Sequence, residues 1–299
     1  MWFKNLQIYR LATPWNMSAE ALEAQLASHA FHPCGNMDME SMGWLPPFGK
    51  DGLVRQVAGQ WLINLCLEQK LLPASVINQV TQERVDEIEE KEGYRPGRKQ
   101  VREIKERVTD ELLPRAFSRR RSTLIWIDPQ NGWLVVDAAN GAKADSALEL
   151  LRKCLTDLPA RIIKPKVSPA AAMREWLTTD EAPAGFSVDQ DCELRSDLEE
   201  KATVRYAHHA LDTDEVKKHI NDGKSPTRLA MTWADRVSFV LTERLEVKRL
   251  DFLDVVREQM DATESAEEQF TADFALMALE LSRFLPDLVD ALGGEEVPA

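Results

Sequence analysis

Long apolar runs are missing from this 299-residue chain, and no stretch approaches the length that a membrane-spanning helix requires. Paired cysteines are missing as well. Cys34, Cys66, Cys154 and Cys192 are scattered, without the spacing of a disulfide framework. The amino-terminal MWFKNLQIYRL has neither the basic-then-apolar layout nor the small-residue cleavage site of a secretion signal. These absences set the expectation of a cytoplasmic protein with reduced thiols and no membrane partner. Positive charge is short overall: 37 Lys and Arg stand against 50 Asp and Glu, a formal net of −13. Such a balance excludes a histone-like protein coated with cations, but it leaves room for one localised site.

Catalytic signatures are also lacking. Gly43 to Gly49-Lys50 has five residues between its glycines where a Walker A loop has four, and Asp51 stands where the metal-binding hydroxyl belongs. Gly223-Lys224-Ser225 has the right ending but Lys218 in place of the first glycine. His29, His32 and Cys34 offer three soft ligands with no local fourth, and Pro33 interrupts any helix that would align them. No nucleophile elbow or Cys/His pair appears. No catalytic residue, cofactor or metal is therefore expected. Acids abound, so a metal-dependent nuclease stays as an alternative that no motif nominates.

What is present is a reversal of charge. Tyr94 to Arg121 carries ten Lys and Arg against four acids, a net of +6; since −13 less +6 is −19, the rest of the chain is strongly anionic. A cationic patch on an anionic body suits a polyanion held at one place, and nucleic-acid backbone is the usual candidate. Within the patch, Arg98 to Leu113 reads as a helix with an apolar stripe of Val101, Ile104, Val108 and Leu112. Arg98, Arg102 and Lys105 form a basic stripe beside it, and Glu103, Glu106 and Asp110 an acidic one. Segregated charge favours binding; a solvated helix laced with i,i+4 ion pairs is the plain alternative. Arg95, Lys99, Arg115, Arg119, Arg120 and Arg121 complete the candidate surface, with Arg115 to Arg121 read as a connecting loop after Pro114. Phe117 sits among these arginines, where it can wedge between bases, stack on one, insert into another subunit, or fold back over the helix. Arg205, Tyr206, His208 and His209 form a second candidate phosphate contact, or simply a strand end.

Along the chain, four subregions emerge: an α/β part at 1–73, a basic helical projection at 74–121, a hairpin-helix part at 122–250 and an acidic helical part at 251–299. Trp2 to Leu11 and WLINLCLEQKLL read as strands, with a short helix capped by Ser18 between them and a polar helix over Ala74–Glu92 after them. TLIWIDPQNGWLVVDA is a hairpin turning at Asp128 to Gly132, followed by a helix over ADSALELLRKCL. RVSFVL, VKRLDF and LDVVREQM repeat the hairpin-helix theme. From Asp251 onward, 13 acids face Arg257 and Arg283, a net of −11. Phe270, Phe274, Met277, Leu281, Phe284 and Leu288 form an apolar seam there, reading as a core helix rather than a coiled coil. Pro286 should kink that helix or restart its last turn, and Gly293-Gly294 should stop it.

Several segments, in order, resemble the RdgC family of recombination-associated proteins from end to end. They are WFKNLQIYRL (2–11), AFHPCG (30–35), MGWLPP (42–47), LLPRAFSR (112–119), the WID…NG…VVDAA hairpin (126–139) and LLRKCLTDLP (150–159). TRLAMTW (227–233), VKRLDF (247–252), FTADFALMALEL (270–281) and LGGE (292–295) continue the likeness. The resemblance implies an α+β protein with antiparallel sheets and long helices, whose horseshoe-like subunits form a ring-shaped dimer with a basic central hole. It implies binding to double-stranded DNA, and to single strands, with little sequence preference. Nucleoid association, restraint of RecA-promoted strand exchange and an absence of catalysis are implied too. The helix and PRAFSR element resemble the family's finger-like projection, with Phe117 at or near a subunit contact. The family tends to carry lysines where His208 and His209 stand, which puts that part of the surface in doubt at neutral pH. The competing reading is a protein-interaction factor that meets RecA or a replication protein directly, without DNA.

Overall fold

Apolar and alternating runs set down twelve strands and eight α-helices among the described residues, which are 1–196, 202–258 and 265–296 of the computed structural model. In chain order these begin with β1 (Leu6–Leu11), α1 (Ala19–Leu26), β2 (Glu40–Leu45), β3 (Val54–Val57), β4 (Gln60–Lys70), α2 (Ala74–Glu92) and α3 (Arg98–Leu112). Next come β5 (Ser118–Asp128), β6 (Trp133–Asp137), α4 (Gly141–Cys154), β7 (Ala160–Ile162), α5 (Pro169–Thr179), β8 (Phe186–Ser196) and β9 (Thr203–Tyr206). The last are α6 (Asp214–Asn221), β10 (Lys224–Trp233), β11 (Val237–Thr242), β12 (Val247–Phe252), α7 (Asp254–Arg257) and α8 (Ala266–Ala291). Among the described residues no helix is long and apolar enough to cross a membrane. The chain divides into two compact units. One comprises Met1–Leu26, Pro46–Ile63 and Thr123–Ala299; the other, smaller, comprises Ala27–Leu45 and Asn64–Ser122.

The larger unit is built on antiparallel pairing of β6 with β1, β1 with β12, β12 with β11, β11 with β10, β10 with β8 and β8 with β9. The β5–β6 hairpin closes where the sequence places it. Asp128 accepts hydrogen bonds from the Gln130 and Asn131 amides at 3.1 and 3.0 Å. Gly132 turns the chain at φ 73°, where a Cβ would come within 2.6 Å of the Leu11 carbonyl oxygen. Helix α8 buries the seam read from the sequence: Phe270, Phe274, Met277, Leu281, Phe284 and Leu288 are all within the core. Each contributes about 1.5–3 kcal/mol by leaving water. The Phe284 ring lies 4.9 Å from that of Phe239 and 5.7 Å from that of Trp233, so the helix is fixed onto β10 and β11. Ser265 caps α8 by accepting from the Glu268 amide.

Two expectations change here. Of the two outcomes expected at Pro286, the restart does not occur: the proline sits inside α8, whose packed seam holds both sides of it in one helix. The second hairpin-helix theme keeps its hairpin, but its helix is only the four residues of α7; Gln259 and Met260 lie outside the described residues.

In the smaller unit β2 pairs with Asn64 to Gln69 of β4, from Glu40 opposite Gln69 to Leu45 opposite Asn64. Gly43 permits this: a Cβ there would lie 2.5 Å from the Phe31 Cα, and the Phe31 amide donates to the Trp44 carbonyl. Helices α2 and α3 form a hairpin broken at Gly93, which adopts φ 74° and returns its amide to the Glu89 carbonyl. Their mutual face is thin: Ile77, Thr81 and Val85 are buried on α2, and only Val108 on α3. The stretch Arg115–Arg121 is a correction to the sequence reading. A 3-10 turn over Leu113–Arg115 is followed by β5, which already begins at Ser118. Arginines have no strand preference of their own; the ladder is imposed by tertiary pairing.

Candidate nucleic-acid interface

The helix α3 displays its charge because its apolar stripe is used elsewhere. Val108 is buried and Val101, Ile104 and Leu112 are half-buried, while Arg98, Lys99, Arg102, Lys105 and Arg107 are exposed. Arg95, Arg115, Arg119, Arg120 and Arg121 are exposed too. Only two of these ten cations meet a carboxylate among the described residues. Arg102 pairs with Glu106 at 3.1 Å, one turn along α3, and Arg120 pairs with Glu68 of β4 at 2.9 Å. The Arg102 pair is solvent-exposed on both sides and is worth a few tenths of a kcal/mol. The other eight cations are available to an incoming polyanion.

Strand geometry sorts the three consecutive arginines. Side chains alternate along β5, so Arg119 and Arg121 share one face and Arg120 takes the other with Ser118. On that second face Glu68 is almost fully buried. A hydrogen bond from the Ser118 hydroxyl, and then the Arg120 guanidinium, hold its carboxyl below the usual carboxylate range. Arg120 also sits 5.0 Å from the Phe31 ring centroid. Arg119 and Arg121 have neither anchor.

Phe117 stands just before this strand with 83% of its surface exposed. The alternative in which it folds back over α3 is therefore not met. Its carbonyl accepts from the Leu71 amide, which pins the backbone and leaves the ring out. Leu71 and Val76 are exposed in the same unit.

Nine of the twelve predicted DNA-binding residues, together with Phe117, thus lie in the smaller unit, and Arg205, His208 and His209 lie in the larger one. Arg205 is held by Glu193 of β8 at 2.6 Å, and that bond is the largest cause of the lowered Glu193 pKa. His208 has φ 52° and donates its amide to Asp191 at 3.0 Å. His209 places Nδ1 2.6 Å from the Ala210 carbonyl. Neither glycine-lysine near-miss forms a phosphate loop, since Gly43 lies within β2 and Gly223 precedes β10 rather than a helix. Among the described residues no group of three or more His, Cys, Asp or Glu is gathered to hold a metal ion.

A family model described as "Putative exonuclease, RdgC" matches residues 1–295. The chain belongs to the RdgC family. It is 57% identical over 296 residues to a recombination-associated protein RdgC of Cupriavidus pinatubonensis, covering 99% of each chain. The corresponding protein of Dechloromonas aromatica is 53% identical over 303 residues, all of both chains, and that of Herminiimonas arsenicoxydans is 57% identical over 297 residues. Three further cations, Arg228, Lys248 and Arg249, gather near Arg205 and His208. No charge run marks them, because they come from β10 and β12 and meet only through the sheet.

Proposed function

We propose that this protein is a non-enzymatic, largely sequence-independent DNA-binding protein that restrains RecA-mediated recombination. The observation that carries the reading is the set of eight exposed cations between Arg95 and Arg121 that meet no carboxylate among the described residues, in a chain of net charge −13. An anionic body repels phosphate, so a confined cationic surface is where a nucleic acid would be held. Two horseshoe-like subunits closing into a ring, with these cations facing inward, would retain duplex DNA without reading bases. Phe117 is the proposed subunit contact, because an exposed aromatic in a polar surround has the character of an interface anchor. Nucleoid association in the cytoplasm follows from such binding, as does antagonism to RecA: occupied duplex cannot serve as an exchange partner.

Filter binding against salt tests this. With six to ten phosphates neutralised, affinity should fall about 10³–10⁵-fold between roughly 50 and 200 mM salt, equally for unrelated sequences. Retention of no DNA at low salt would favour a factor that meets RecA directly. The exonuclease of the family description makes a different forecast: linear DNA would shorten in Mg²⁺ or Mn²⁺, whereas the binding reading expects it intact.

A further inference from the structure

We propose that Tyr94, at the tip of the α2–α3 hairpin, is a stacking platform for an unpaired nucleic-acid base, with Arg95, Arg98 and Lys99 taking the phosphates beside that base. The inference rests on the nucleic-acid reading above for its class of ligand, and adds which part of that ligand the tip receives. Among the described residues only two aromatic side chains are exposed, Tyr94 and Phe117, and both lie in the basic segment. Tyr94 keeps 52% of its surface in water. A solitary surface tyrosine on a turn would mean little. This one is followed within five residues by three exposed cations, none of which meets a carboxylate among the described residues. Such a surround suits a partner that is anionic and also offers flat apolar faces, and a nucleic acid supplies both. Helix α3 has 15 residues, about 22 Å at 1.5 Å per residue, so the tip stands a helix length away from Phe117 and the β5 arginines.

The turn that carries Tyr94 is fixed at both ends. Gly93 closes α2 with its amide on the Glu89 carbonyl at 2.9 Å, and the Gly97 amide opens α3 by donating to Gln100 Oε1 at 3.0 Å. Pro96, between them, is buried. The Tyr94 hydroxyl donates to the Glu92 carboxylate at the end of α2, which is the main reason its pKa lies above the ordinary tyrosine value, and it accepts from Gln100 in the first turn of α3. The ring is thereby tethered to both helices at its polar end. A side chain ordered in advance loses less freedom when a ligand arrives. A Cβ built on Gly93 would meet no atom within 4 Å, so that side of the turn lies open. Inside a duplex both faces of each base are covered by its neighbours, and a protein ring finds no place. A single strand, a gap or an unwound stretch offers an uncovered face, and stacking there is indifferent to sequence because every base has one.

Fluorescence titration of a thymidine oligonucleotide carrying one 2-aminopurine tests the platform, with filter retention of covalently closed circular duplex, which has no ends, measured in parallel across a salt series. Binding of the single strand should quench the 2-aminopurine, because stacking does. Tyr94→Ala should abolish the quench and weaken single-strand binding about tenfold at every salt concentration, with the salt slope and duplex retention unchanged. Tyr94→Phe, which keeps the ring, should retain the quench and most of the affinity. Arg95→Ala should instead lower the salt slope by about one on both ligands. Single-strand affinity unchanged in folded Tyr94→Ala, in a protein that still retains duplex, would overturn the platform and leave the proposed function standing. Equal losses on single strand and duplex would overturn it too, by making the tyrosine a general backbone contact. Weaker self-association of Tyr94→Ala in sedimentation, with both DNA affinities intact, would make the tip a subunit contact and end the proposal. Wild-type protein that binds neither ligand would remove the functional reading itself, and the platform with it.

Discussion

Arg120 donates from Nε to Glu68 Oε2 at 2.9 Å, across from β5 to β4, and this single bond separates it from the arginines on either side. Arg119 and Arg121 present the same charge from the opposite face of the strand, with no carboxylate among the described residues to meet them. Three identical neighbours in sequence therefore stand in two different environments.

Charge reversal should expose that division. Arg119→Glu with Arg121→Glu should reduce the slope of log affinity against log salt by about two, with the melting temperature little changed. Arg120→Glu should lower the melting temperature, because it sets a second carboxylate against a buried one. Equal melting temperatures for the two variants, read by calorimetry, would contradict the assignment.

Phe117→Ala should weaken self-association by about 2 kcal/mol, the loss typical of an interface anchor, without destabilising the subunit. Its ring is 83% exposed, so little packing is lost on truncation. Sedimentation velocity across a concentration series reads the first effect and urea unfolding the second.

The buried pair at α8 should behave in the opposite way. Arg236 holds Glu280 with two hydrogen bonds of 2.8 and 2.7 Å, and the Glu280 side chain is fully buried. Removing the guanidinium in Arg236→Leu strands that carboxylate and should cost about 3–5 kcal/mol. The shift in urea midpoint at constant slope measures it.

Cys192 should be chemically silent. Burial, with Glu193 adding to it, pushes the thiol from its ordinary 9 up to about 12. At pH 8 it should resist iodoacetamide in the folded protein and react once urea is added, as mass spectrometry would show. The folded pKa is the raised one, so the thiol's contribution to stability is intact below pH 9 and drains away between there and about 12.

Much of the smaller unit was legible before any coordinates. Helix α2 spans Ala74–Glu92 as the periodicity and Gly93 require, and α3 begins at Arg98 and ends at Leu112. The seam of α8 was equally plain, because six large apolar residues at helical spacing have one natural use. Arg115–Arg121 misled because a strand written in arginine has no apolar alternation, and only its partner strand makes it one. The β8 to β10 region was least readable. Its bulges interrupt the period of two, and Arg228, Lys248 and Arg249 meet through register rather than through sequence proximity.

The alternation along β5 makes the segment intolerant of changes in length. Deleting or adding one residue between Ala116 and Arg120 would rotate the strand by half a period. A displayed arginine would then be delivered to Glu68, and the held one released to solvent. Composition and net charge would be almost unchanged, yet anchor and bait would have traded places.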